Sequence, residues 1–483
     1  MAASGLGPQS LVLAIDQGTH STRALVFDRQ GQALARGECE VQLIRPQPDW
    51  AEQDGEELVA SVHAAVAQAV AALGARAADV AVAGLSSQRA SCICWDRASG
   101  APLSPVFSWQ DRRMHAWIDA LRAHGDDVHR RTGLFLSPHY GASKLRWALD
   151  HLPAVAQALA AGRLAWGPLA SFLAFRLLRE RPLLAEPQCA ARTQLWNLQE
   201  RDWDPALLAL FGLPSGCLPA TALTCQHWGT LACGGGEVPL AAVNGDQSAA
   251  VFAFGWPQPE AAYMNIGTSA FVQRAVPQPP GHVPRQLTGI ILADGETTVY
   301  MVEGNVNGAG AGLQWLAAQL GRDDLLERLP EWLERPAPDL LFLNGIAGLG
   351  GPYWQARFDS RFVGDAAEPW QQAVALVESI AFLLQANVEH MAPFVPPLAR
   401  MHVSGGVSRL DGLCRRIAAL NGVPVHRRDD PEASARGIAY LAAGRPPQWD
   451  SGAAAAIFAP RDDVGLRARY RRWRALMAQA TGV

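Results

Sequence analysis

Leu11-Val-Leu-Ala-Ile-Asp16-Gln-Gly-Thr-His-Ser-Thr-Arg23 is the stretch from which the fold follows. A continuous apolar run ends at an acid, a turn of Gly and hydroxyl residues follows, and Ala24 to Phe27 forms a second apolar segment closed by Asp28 to Gly31. Apolar runs bounded by such turn chemistry predict a β-hairpin opening a sheet, with residues 32–44 as a third strand. Around residue 244 the same grammar restarts. Leu240-Ala-Ala-Val-Asn244 reads as a strand closing at Gly245-Asp246, and residues 261–276 read as two strands about a Gly267-Thr268-Ser269 turn. The repetition predicts two related halves, each with a Gly-Thr turn at a sheet edge. They are joined near residues 245–260, where the Pro-rich Gly255-Trp-Pro-Gln-Pro-Glu-Ala261 supplies a joint.

Outward from these hairpins, the pattern predicts a helix over 55–73, strands over 80–85 and 92–95, and a helix over 111–123. In the second half it predicts a strand over 401–404, a tight Gly405-Gly406 turn, a helix over 409–420, a strand over 423–426 and a helix over 432–443. Such alternation points to α/β architecture. The Ala- and Arg-rich stretch from Gln448 yields no assigned element.

Length and composition bound the function. A chain of 483 residues suggests two or three folded units, and 49% hydrophobic against 18% charged residues supplies ample core. A formal charge of −4 and a pI near 6.3 offer no overall footprint for nucleic acid or anionic lipid, so the expected partner is a small molecule, with no nucleic acid and no membrane. The first ten residues have neither a basic nor an apolar leader region, and no run of 18 uninterrupted apolar residues occurs, which predicts a soluble cytoplasmic protein. Eight scattered cysteines with no CxxC pair encode neither a zinc site nor a disulfide framework, and reduced thiols are expected.

Lys144 is the single lysine in the chain. It lies between Ser143 and Leu145, so no Walker A loop exists, and a protein kinase would have to use this one residue. Gly308, Gly310 and Gly312 fail the dinucleotide fingerprint because Leu313 stands where glycine is needed.

Turns of Gly with Thr or Ser bring backbone N–H groups and hydroxyls close to a ligand, and two such turns suit a polyphosphate. Asp16 and Asp246 each close an apolar strand beside them. Carboxylates so placed suit Mg²⁺ bridged to phosphate oxygens, or removal of a proton from an attacking hydroxyl.

Eight ordered motifs carry a resemblance that runs from about residue 11 to residue 444. They are Asp16 to Arg23, Ser87-Gln-Arg89, Trp109-Gln-Asp-Arg-Arg113, Gly245-Asp-Gln247, Ile266-Gly-Thr268, Ala309 to Trp315, Gly348 to Trp354 and Ser404 to Ser408. Together they resemble the FGGY carbohydrate kinases, and among these the glycerol kinases. The resemblance implies two actin-like, ribonuclease H-like α/β domains with an active-site cleft between them: an N-terminal domain over 11–253 carrying substrate and phosphate loop, and a C-terminal domain over 254–483 carrying ATP. It implies ATP and Mg²⁺ as cofactors, phosphorylation of a hydroxyl of a small polyol or sugar, and Asp246 as general base. Asp16 and Asp246 match the metal positions. Gly18, Thr19, Arg23, Gly267, Thr268, Gly310, Gln314, Gly405 and Gly406 match the ATP positions. Gln88, Arg89, Trp109, His139, Asp246, Gln247 and Phe271 fall at the substrate positions. A homo-oligomer, dimer or tetramer, is compatible with the resemblance. Phosphoryl transfer needs mainly alignment and charge neutralisation, so this inventory is complete without a catalytic lysine. Lys144 is left with two roles, a structural ion pair or direct ligand contact.

Three departures bear on the substrate and on regulation. Ala90 stands where glycerol kinases carry Glu, and His139 where they carry Tyr, which removes a hydroxyl acceptor and makes room for a longer polyol or a ketose. His20 stands where Thr is common, and Cys233 to Glu237 is a glycine-rich loop with no cation. A ketose kinase such as a xylulokinase is the rival within the family, although Gln88-Arg89 replaces the Met-His usual there. A catalytically silent nucleotide-binding scaffold is the rival from another class, and the retained Asp16 and Asp246 oppose it.

Overall fold

The computed structural model describes residues 7, 9–234, 236–295, 297–365, 368–428, 432–449 and 456–483. Most of the N-terminal segment in which a leader was sought, and residue 235 of the glycine-rich loop, lie outside the described residues. The chain divides into two compact units, and both are discontinuous. The first takes the described parts of Met1–Pro257, Gly289–Tyr300 and Glu432–Ser451, and the second those of Gln258–Thr288, Met301–Pro431 and Gly452–Val483. The division at 257 falls within the Pro-rich joint. The segments 289–300 and 432–451, expected in the second half, pack with the first.

In the first unit β1 (Leu11–Gln17) and β2 (Ser21–Phe27) form the predicted antiparallel hairpin, and β3 (Ala33–Glu40) continues it. Strand Val80–Ser87 runs parallel to β1, and strand Gly236–Gly245 runs parallel to Val80–Ser87. The Gly18-Thr19 turn therefore sits at the end of interior strands, because β1 is flanked on both sides, rather than at a sheet edge. Helix α1 (Gly55–Leu73) is capped by Asp54, whose carboxylate accepts from the Glu56 and Glu57 backbone. It is long and apolar enough to cross a membrane by length and composition. Here its apolar stripe, Leu58, Val62, Ala65 and Ala69, is fully buried in the core with Leu13, Ile15 and Val26. Gly37 allows the approach, since a Cβ there would overlap the Ala65 carbonyl oxygen.

Helix Ala433–Ala442 covers this sheet near Val80–Ser87. A Cβ on Gly84 would sit 2.9 Å from the Ile438 carbonyl oxygen, and one on Gly437 would overlap that of Ala249. A second sheet, Glu52–Gln53, Val106–Phe107, Cys92–Asp96 and Leu164–Pro168, carries the remaining loops of this unit. The helix expected over 111–123 is confined to His115–Ala120 with a 3-10 turn at Arg122–His124. The buried Asp111 carboxylate accepts from the Ala51 backbone at 2.9 Å and from Arg113, which holds residues 108–113 as a loop.

The second unit repeats the design. Ala261–Ile266 pairs antiparallel with Ala270–Val276 and parallel with Arg400–Ser404, which runs parallel to Val425–Arg427. Helix Pro369–Met391 forms its core, and the tail forms strand Ala456–Phe458 and helix Val464–Thr481. The tail helix buries Leu466, Tyr470, Trp473 and Met477, and Arg469 clamps the buried Glu378 at 2.7 and 2.8 Å. All eight cysteines are free.

Candidate active site

In the first unit three parallel strands end side by side, with Asp16 and Asn244 both registered opposite Ser86. Open α/β sheets bind ligands outside the carboxyl ends of such strands. Asp16 is buried and accepts from Ser86 Oγ at 2.7 Å. Burial, with the nearby Asp246 and Glu432 charges, outweighs Ser86 and Arg23 and raises its pKa to about 7. Asp246 opens a one-turn helix directly after strand Gly236–Gly245. Burial lifts its carboxyl above the usual range, opposed by Arg89 and by the backbone N–H groups of Gln247, at 2.7 Å, and of Arg89.

The two acids fit a Mg²⁺ site of the kind completed by a nucleotide. Among the described residues no group of three or more His, Cys, Asp or Glu gathers into a full protein cage. Mg²⁺ is commonly held by one or two carboxylates plus substrate phosphates, and a buried acid with a raised pKa gains most from a cation.

The other expected residues of this unit divide into those that face ligand chemistry and those that build the frame. Gln88 Nε2 donates to Gln53 Oε1 at 2.8 Å and Gln17 Oε1 at 3.1 Å, while its Oε1 accepts from Ser91. Its polar atoms are thus engaged within the protein. Trp109 Nε1 donates to Thr19 Oγ1 at 2.9 Å, joining an expected substrate position to the expected phosphate turn. His139 stacks edge-on to Trp109 with ring centroids 5.7 Å apart. Burial and the charges of Lys144, Arg112, Arg192 and Arg89 hold its pKa well below the ordinary value, so the imidazole is neutral. Arg23 is tied to Glu38 at 3.0 Å and to Glu432 at 3.5 Å.

Among the described residues Lys144 makes no ion pair. Fully buried, it donates to the carbonyls of Ser108 and His139 at 2.8 Å and of Ala90 at 3.3 Å. Burial pushes its pKa down to about 8. Its three acceptors come from the three loops that carry Arg89, Trp109 and His139. Ala90 itself lies in the left-handed region at φ 62°. The glycine-rich loop also differs from expectation, because Arg179 pairs with Glu237 at 2.6 Å and brings a cation to it.

Sequence reasoning missed Gln188, Arg192 and Glu432. Gln188 and Arg192 are polar interruptions of the apolar segment around Cys189 to Ala191, a signal that was available. Glu432 had none, being brought to Arg23 only by the packing of helix Ala433–Ala442.

In the second unit the Gly267-Thr268 turn and the start of helix Gly310–Leu320 meet directly. The Gly310 and Ala311 N–H groups donate to the Gly267 and Thr268 carbonyls at 2.9 and 3.0 Å. Gly310 is required by this approach, since a Cβ would lie 2.7 Å from the Gly267 oxygen. Gln314 is exposed one turn into that helix. Gly405 has φ 90° and packs on Ile266, whereas a Cβ on Gly406 would meet nothing within 4 Å. The cradle beside Gly406 is the open part of this group. Phe271 is half-buried on strand Ala270–Val276, opposite Asn265.

The family models for the N-terminal and C-terminal domains of the FGGY carbohydrate kinases match residues 11–253 and 262–444. The chain belongs to the FGGY family of carbohydrate kinases. It is a phosphotransferase acting on an alcohol group, dependent on ATP and Mg²⁺. It is 36% identical to a glycerol kinase of Alkalilimnicola ehrlichii over 489 residues, 98% of each chain. It is 36% identical to one of Trichlorobacter lovleyi over 444 residues, 90% of this chain and 89% of that one. In fold it is similar to a Plasmodium falciparum glycerol kinase solved with ADP, at a TM-score of 0.89 and 21% identity over 98% of each chain. A xylulose kinase from Rhodospirillum rubrum matches at a TM-score of 0.86 and 23% identity, over 97% of this chain and 98% of that one. These likenesses show the two-domain α/β architecture of FGGY kinases.

Proposed function

We propose that this FGGY kinase phosphorylates a terminal hydroxyl of a small polyol or sugar, with Asp246 as general base and Asp16 as the Mg²⁺ carboxylate. The observation that carries this reading is a pair of acids at the ends of strands flanking Val80–Ser87, Asp16 buried and Asp246 half-buried, each with a raised pKa. Asp246 takes the proton from the attacking hydroxyl, and Arg89 beside it steadies the carboxylate that must be ionised to do so. Mg²⁺, when bound, neutralises charge on the transferring phosphate. Gly18, Thr19, Gly267, Thr268 and Gly406 would supply the close backbone approach that phosphate oxygens need. The domain limits 11–253 and 254–483 remain the functional division we propose, although packing draws late segments into the first unit. We read it as a soluble cytoplasmic enzyme without a nucleic-acid or membrane partner, which the near-neutral charge supports, and as a dimer or tetramer.

The substrate is argued from Ala90 and His139. With an acceptor carboxylate absent and a neutral imidazole in place of a phenol, a polyol or ketose longer than glycerol is the better fit. Asp246→Asn is expected to lower turnover by about 10² to 10⁴-fold with an unchanged circular dichroism spectrum. ADP release measured across glycerol, four- and five-carbon alditols and ketoses reads both points. Near-normal turnover of a folded variant would reject the base.

A further inference from the structure

Gln188 lies on the short helix Pro187–Ala191, whose N-cap Glu186 accepts from the Cys189 N–H at 2.8 Å and from Thr224 Oγ1 at 2.7 Å. The helix is thereby held rigidly, and the Gln188 side chain is carried over Gly245. A Cβ on Gly245 would overlap Gln188 Oε1 and would lie 2.6 Å from Arg89 Cγ, so the glycine is what lets this amide rest against the strand end that delivers Asp246. Gln188 is 1% exposed, and its Nε2 has no hydrogen-bond partner among the described residues. A buried amide N–H is ordinarily paired, and one left without a partner at a ligand site is a contact awaiting its acceptor. The neighbouring Gln247 Oε1 is unpartnered in the same way. Where glycerol kinases carry Glu, Ala90 offers only a methyl group.

We propose that Gln188 is a substrate-contacting, specificity-determining residue, its Nε2 donating to an oxygen that a polyhydroxy substrate of four or more carbons carries and glycerol lacks. This rests on the kinase reading above. Recognition has then moved from the loop at residue 90 to the helix at residue 188, and the site is selective because a substrate lacking that oxygen leaves the amide buried and unpaired. Arg89 and Arg192, both nearly buried, also act on Asp246.

The test uses the intact enzyme with glycerol, erythritol, xylitol and xylulose as acceptors. In Gln188→Leu the ratio of kcat/KM for the preferred longer acceptor to that for glycerol is expected to fall ten- to a hundredfold. The melting temperature without substrate should hold or rise, since no protein hydrogen bond from Nε2 is lost. Gln188→Asn, which keeps the amide but withdraws it by one methylene, should show the same loss of selectivity and secures the answer if the leucine variant fails to fold. An unchanged ratio, or an equal loss on every acceptor with a lower melting temperature, would overturn the proposal and make Gln188 a packing residue. If the unmodified enzyme phosphorylates none of the acceptors, it is the kinase reading that fails.

Discussion

Asp16 shows how one residue can be costly to the fold and useful to the chemistry. Its pKa is about 7 in the folded chain against an ordinary 3.8, so the folded state holds the proton longer than the unfolded one. Stability therefore falls as pH rises from about 4 to 7, the window between those two values, because ionising the buried acid disfavours the fold. Asp16→Asn should raise the melting temperature of the ligand-free protein at pH 7.5 and flatten its decline over that window, while turnover is lost. A pH series of thermal melts on both proteins checks this, and a lower melting temperature for the variant at pH 7.5 would contradict it. Ala90 makes the complementary case for substrate choice. Ala90→Glu restores an acceptor carboxylate beside Arg89, and glycerol should improve relative to the preferred acceptor by roughly tenfold in kcat/KM, the worth of one hydrogen bond to a charged acceptor. Ala90 already occupies the left-handed backbone at φ 62°, and Glu, like Ala, carries a Cβ, so the exchange adds little backbone strain.

Among the elements, helix Ala433–Ala442 is placed by glycines rather than by its apolar stripe alone. An exposed Gly to Ala exchange inside a helix gains about 1 kcal/mol from propensity. At Gly437 the added Cβ would overlap the Ala249 carbonyl oxygen, which is backbone and cannot rotate away. Overpacking of this kind costs about 1–3 kcal/mol, so Gly437→Ala should destabilise in spite of propensity. Chemical denaturation gives the sign. In the second unit, helix Pro369–Met391 and the tail helix Val464–Thr481 are joined through Glu378, which Arg416 contacts at 3.2 Å and Arg469 holds through both oxygens. Removing one side of such a buried group leaves the others uncompensated. Arg469→Ala is expected to cost about 3–5 kcal/mol, read as a shift in denaturation midpoint. The tail helix was legible in principle, since Leu466, Tyr470, Trp473 and Met477 recur at helical spacing. Its eight-residue stretch Leu466 to Trp473 also holds four arginines, Arg467, Arg469, Arg471 and Arg472, and these obscure the stripe.

At the scale of the whole molecule, the first unit closes only when the chain returns to it twice. Thr224 Oγ1 accepts from the Ala293 N–H at 2.9 Å, and helix Ala433–Ala442 covers Gly84. A fragment ending at residue 257 would leave that sheet face bare, and we expect it to lack a cooperative melt and a near-ultraviolet circular dichroism signal that the full chain has. The sequence by itself determined the two hairpins, the α/β alternation, the repeated Gly-Thr turns and the positions of Asp16 and Asp246. Each of these rests on neighbours within a few residues, where apolar periodicity and turn chemistry act directly. Tertiary structure alone decided that 289–300 and 432–451 complete the first unit, that Lys144 binds three carbonyls instead of a carboxylate, and that Gln188 is buried beside Asp246 with an unmet donor. Those outcomes depend on which distant backbone groups converge on one side chain and on how much water that convergence excludes, and neither quantity is carried by local pattern.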